Sequence, residues 1–134
     1  MLLDSITAID GTPAAVSHVF TKVDKRDNVV FLRSPQTATP YAGHAHQDIT
    51  LSVSSVIVAD GGRRYTVKLA VPHLISEDGD VTYNREAVIM HASATIKTSG
   101  ESKALDRKTL MTYFTKLLSD SQLMDAVEGN EGIY

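Results

Sequence analysis

Three segments in the middle of the chain alternate between apolar and polar side chains with a period of two, the signature of strands with one buried face. In Ile49-Thr50-Leu51-Ser52-Val53-Ser54 the apolar positions are 49, 51 and 53. In Tyr65-Thr66-Val67-Lys68-Leu69-Ala70-Val71 the set Val67, Leu69 and Val71 faces a core, leaving Thr66, Lys68 and Ala70 opposite. In Met90 to Lys97 the core set is Met90, Ala92, Ala94 and Ile96, and His91, Ser93, Thr95 and Lys97 point the other way. Asp60-Gly61-Gly62-Arg63-Arg64 carries the glycines of a hairpin turn, so the first two of these strands are expected to be antiparallel neighbours. Pro72 is expected to end the second strand, and Glu77-Asp78-Gly79-Asp80 marks an acidic loop.

Upstream, residues 17–23 and 28–33 are rich in β-branched and aromatic side chains and flank Asp24-Lys25-Arg26-Asp27, the pattern of a hairpin with a four-residue polar loop. Residues 1–12 form an arm or added edge strand, closed by the turn chemistry of Asp10-Gly11-Thr12-Pro13. Residues 34–41 contain two prolines and connect the hairpin to the later strands over the surface. After Gly100 the period lengthens to that of a helix, with Leu105, Leu110, Met111, Phe114, Leu117 and Leu118 on one stripe. Ser99 or Ser102 is positioned to cap it. A shorter helix follows, capped by Asp120 or Ser121, striped by Leu123, Met124 and Val127, and ended by Gly129 in a left-handed conformation.

The plan is therefore strands first and helices second, an α+β fold in a single domain over residues 1–134: an arm (1–12), a hairpin (17–33), sheet strands (48–98) and two helices (102–129). Two short helices cover only part of such a sheet. Either the remaining apolar face is small, or a second copy brings its own helices in a two-fold dimer.

Composition narrows the chemistry. The 134 residues contain no cysteine, which excludes disulfides, thiolate metal sites and thiol nucleophiles. No stretch approaches the roughly 20 apolar residues of a membrane span, and the start lacks a signal peptide's basic flank, so no membrane partner is expected and folding is expected in the cytoplasm. The net charge of -3 rules out a globally basic nucleic-acid binder, so any such contact has to be a local patch. The polar sheet face offers one: hydroxyls, Lys68 and His91, with few acids to repel phosphate.

Other motifs are weaker. His44-Ala45-His46 places two imidazoles on one side of an extended segment, and with Asp48 could hold a divalent metal, the basis of an alternative reading as a small metal-dependent β-sheet enzyme. The plainer reading is a solvated entry to the next strand, with no metal, no cofactor and no catalytic residue. No nucleophile elbow or paired carboxylates occur, so no enzyme is expected.

Three segments together resemble the coat proteins of the single-stranded RNA bacteriophages, the leviviruses. They are residues 48–53, residues 64–72, and the tail from Leu117-Leu118 through Leu123-Met124-Asp125-Ala126-Val127 to Gly132-Ile133-Tyr134. The resemblance is good over 48–134 and positional over the 17–33 hairpin. It implies an N-terminal β-hairpin, a five-stranded antiparallel sheet, and two helices that pack across a dimer partner to give a continuous ten-stranded sheet. It also implies a homodimer that self-assembles into an icosahedral virion capsid in the bacterial host cytoplasm, and that binds genomic RNA on the inner sheet face. An RNA hairpin at the start of the replicase gene would be bound there, repressing translation. By position Thr50, Ser52, Thr66 and Lys68 are expected to contact RNA, with Arg64 on a phosphate. His91 replaces an expected stacking tyrosine, Ser93 an Asn or Asp, and Ser54 a frequent arginine. Arg63 and Arg64 after the turn are either a basic clamp on the RNA or a pair that simply faces water, and Thr95 completes the outer face. The segment from His73 to Asn84 is implied as the contact element at the symmetry axes.

Overall fold

A computed structural model describes residues 3–9, 17–35, 48–76, 84–130 and 132. Its elements are β1 (Ser5–Ile9), β2 (Ser17–Arg26), β3 (Val29–Ser34), β4 (Ile49–Ile57), β5 (Arg63–Ser76), β6 (Asn84–Thr98), α1 (Ala104–Leu118) and α2 (Ser121–Glu128). The strands make one six-stranded sheet in chain order. Every neighbouring pair is antiparallel. The expected class holds, strands followed by two helices, but the count is corrected. The hairpin β2–β3 is not a separate feature beside a five-stranded sheet: β3 pairs with β4 from Val29↔Ser54 to Ser34↔Ile49, and the arm adds β1 at the edge.

Local chemistry explains where the elements differ from expectation. The β2–β3 turn is tighter than a four-residue loop, because Arg26 already pairs with Val29 and Asp27 takes a positive φ of 49°. The ladder slips between Lys22 and Asp24, a bulge that re-aims the end of β2. Pro72 does not end β5, which runs on to Ser76. Its pairing with β4 stops at Ala70 among the described residues, so Pro72 lies beyond the end of that ladder, where a missing N–H is tolerated. Between β4 and β5, Gly61 takes φ +81°, and Gly62 lies so close to the end of β6 that a Cβ there would stand 1.8 Å from the Thr98 carbonyl oxygen.

Neither Ser99 nor Ser102 caps α1. Lys103 is the N-cap, and its N–H donates to Asp106 Oδ2 at 2.9 Å. Ser99 and Ser102 close the preceding turn instead, Ser102 Oγ donating to the Ser99 carbonyl at 2.7 Å. Asp120 caps α2 as expected, Oδ1 accepting from Gln122 N–H at 3.0 Å. Gly129 is right-handed, and Asn130 carries the positive φ of 52° that follows the helix.

The core is small. Phe20, Leu32, Ile49 and Leu51 are buried, with Leu3, Ile6, Val30, Val53, Val67, Leu69 and Val71 partly buried against them. Burying a large apolar side chain contributes about 1.5–3 kcal/mol, so much of the apolar surface in this chain is unused. Met90 and Ala92 on the apolar face of β6 are exposed. So is most of the helical stripe: neither helix has a buried residue, Phe114 and Leu123 are half-buried, and Leu117 and Val127 are 66% and 69% exposed. Among the described residues the helices meet each other and scarcely touch the strands. No helix there is long and apolar enough to cross a membrane.

Candidate nucleic-acid interface

Antiparallel partners share a face, so the register fixes which side chains stand together. Four rows cross the polar face. Val29, Ser54, Thr66 and Thr95 form one row, and Phe31, Ser52, Lys68 and Ser93 the next. A third runs Arg33, Thr50, Ala70 and His91. At the turn end Val56, Arg64 and Lys97 make a fourth. Nine of the ten candidates therefore lie on one surface. Thr50, Arg64, Lys68, His91, Ser93 and Thr95 are exposed, and Ser52, Ser54 and Thr66 are half-buried. Ser54 Oγ donates to the Thr66 carbonyl at 3.5 Å, tying β4 to β5.

Arg63 is the exception. It pairs with Ile57 and Thr98, one residue out of phase with Arg64, and therefore belongs to the apolar face. Its Nη1 donates to Ser55 Oγ at 3.3 Å on that side. A clamp made of both arginines is not what the strand alternation permits.

Two residues on this face escaped the sequence reading, Phe31 and Arg33. The signal was available, since Phe31 and Arg33 alternate with Val30 and Leu32. It becomes readable only once β3 is known to pair with β4. Phe31 and Arg33, with Val23, Thr50, Ser52, Lys68, Ala70 and His91, border a hollow of about 240 Å³. It lies over the backbone of β3, β4 and β5, and its lining combines apolar Val23, Phe31 and Ala70 with cationic or hydroxylic Arg33, Lys68, Thr50 and Ser52. Such a hollow suits a flat apolar surface with anionic groups at its edge.

The acids near this face are engaged. Asp48 Oδ2 lies 3.2 Å from Arg33 Nε. Asp24, across from Phe31, accepts from Arg26 Nε at 2.7 Å. That bond and one from the Lys25 N–H hold its carboxyl below the usual carboxylate range. Asp48 is thus committed to Arg33, while His44 and His46 lie outside the described residues.

A sheet with one hydroxylic and basic face, and helices whose apolar stripe is left open by their own chain, defines a subunit built to be completed by other copies. The levivirus coat protein family matches residues 2–134, and the chain belongs to that family. It is a structural subunit of a virion capsid, not an enzyme, so the metal-enzyme alternative does not apply. No curated protein matches. Among solved structures it is similar to a virus-like particle of bacteriophage NT-214, with TM-score 0.80, 16% identity and full coverage of both chains. A capsid protein of bacteriophage GA matches with TM-score 0.73 and 17% identity over 98% of each chain. An unassembled virus coat protein dimer, described as a bacteriophage RNA-binding dimer, matches with TM-score 0.70 and 18% identity over 98% of each chain.

Proposed function

We propose that this coat protein forms a homodimer, assembles into an icosahedral shell in the bacterial cytoplasm, and binds single-stranded genomic RNA on the polar sheet face. The observation that carries this reading is the placing of Arg33, Arg64, Lys68 and Lys97 on the same face as the hydroxyls, while the acids beside it are paired with arginines. An overall acidic chain thereby presents a locally cationic surface.

The dimer follows from the opposite side. Exposed Leu110, Leu117, Leu118 and Val127 need an apolar partner, and the exposed Met90 and Ala92 of β6 need a cover. A two-fold axis beside β6, the edge strand, satisfies both by laying each copy's helices over the other's sheet. With six strands per subunit the joined sheet would have twelve strands rather than ten. The polar face then lines the shell interior. An RNA hairpin from the start of the replicase gene, held on that face, would block translation.

The test of the RNA face is Lys68→Glu. It is expected to weaken binding of single-stranded RNA markedly and to leave the dimer intact by sedimentation. Unchanged affinity across several salt concentrations would overturn the assignment.

A further inference from the structure

We propose that Arg33 is an additional phosphate-contacting residue of the RNA face and that Asp48 is its positioning residue. The inference rests on the polar face binding RNA. It extends that surface to a strand that contributed none of the ten candidate residues.

The geometry is specific. Arg33 follows Leu32, a buried core residue of β3, so alternation turns it to the polar face, beside Thr50 and in the row that ends at His91. It borders the same hollow as Phe31, Lys68 and His91. The Asp48 carboxylate meets the guanidinium at Nε, 3.2 Å away. Contact at Nε restrains the planar fork while leaving the two terminal nitrogens on its far edge, the pair that grips a phosphate bidentately. The side chains are 53% and 25% exposed, and an ion pair that open contributes little to folding, so stability is a weak reason for it. β3 and β5 are two strand spacings apart, roughly 10 Å, so Arg33 and Lys68 address different phosphates of one strand.

The chemistry separates arginine from lysine. A guanidinium can serve Asp48 and a phosphate together, whereas a lysine ammonium at this position would be drawn to Asp48. The experiment titrates the full-length dimer with a labelled random-sequence single-stranded RNA of about 20 nucleotides, between about 50 and 200 mM salt. Arg33→Gln is expected to weaken binding roughly tenfold and to reduce the salt slope by about 0.7, the share of one phosphate. Arg33→Lys is expected to bind nearly as poorly. The double variant Arg33→Lys with Asp48→Asn is expected to regain most of the lost slope, because the ammonium is released.

Unchanged binding by Arg33→Gln, with Lys68→Glu impaired, would overturn the Arg33 contact and leave the RNA face standing. Wild-type binding by Arg33→Lys, or no recovery in the double variant, would overturn the role of Asp48. If the wild-type dimer and Lys68→Glu both fail to respond to salt, the RNA-face reading itself falls. Thermal unfolding of each variant within a few degrees of wild type confirms that binding, not folding, has moved.

Discussion

Arg63 and Arg64 are adjacent in sequence and lie on opposite faces of the sheet. Arg64 stands in line with Val56 and Lys97 among the polar rows, and Arg63 reaches Ser55 Oγ on the apolar side. Two neighbouring cations with the same composition signal therefore have different partners available. Arg64→Glu is expected to weaken RNA binding and lower its salt dependence by about one phosphate contact. Arg63→Glu is expected to leave both unchanged. A filter-binding comparison of the two checks this, and equal losses would contradict the register.

Gly62 is required by a close approach. A Cβ there would collide with the Thr98 carbonyl, which is backbone and cannot swing aside. Gly62→Ala is expected to destabilise the protein by about 2–3 kcal/mol, seen as a lower urea midpoint at fixed protein concentration. Gly61 has no atom within 4 Å of its ideal Cβ but holds φ +81°. Gly61→Asn, which tolerates that conformation, is therefore expected to be milder than Gly61→Ala. A harmless Gly62→Ala would refute the packing of this turn against β6.

The open stripe of α1 and α2 predicts that folding and association are linked. Introducing a charge at Leu117 or Val127, both largely exposed in the single chain, is expected to stop dimer formation and shell assembly. On an ordinary solvated helix the same change shifts stability by less than about 0.5 kcal/mol. The wild-type melting temperature should rise with protein concentration, as it does for obligate dimers. Sedimentation velocity of Val127→Asp decides it, with dimers at wild-type yield as the contrary result.

Asp24 supplies a pH dependence with a definite sign. Its carboxyl is depressed below the ordinary value of about 3.9 by the Arg26 guanidinium and then by the Lys25 N–H. A depressed folded-state value means its contribution is present above the unfolded value and is lost as pH falls through the folded one. Wild type and Asp24→Asn should therefore differ slightly in stability above about pH 4 and converge in stronger acid. An NMR titration midpoint for Asp24 at or above the ordinary value would contradict this.

The alternation of Ile49, Leu51 and Val53, of Val67, Leu69 and Val71, and of the residues after Met90 was sufficient to define three strands and to separate the two faces. It placed eight of the ten proposed contact residues on one surface, where Arg64, taken from the family resemblance, joins them. What it could not carry is information that lives between strands. Phe31 and Arg33 were readable as strand residues, but nothing local says that β3 lies beside β4 rather than in a detached hairpin. Pro72 looked terminal because a missing N–H normally breaks a ladder. Only the end of β4 pairing at Ala70 explains why it does not. The N-cap of α1 was missed for a similar reason, whereas that of α2, Asp120, was legible. Ser99 and Ser102 are good capping types, yet both serve the turn ahead of α1, and an aspartate inside the helix satisfies the first N–H.

The most direct test of the central claim is expression of the chain in a bacterium, followed by sedimentation, electron microscopy and extraction of bound nucleic acid. The account predicts closed particles of uniform size that contain single-stranded RNA, and the loss of those particles when Leu117 or Val127 is charged. A stable monomer in solution, free of RNA and indifferent to those substitutions, would contradict it.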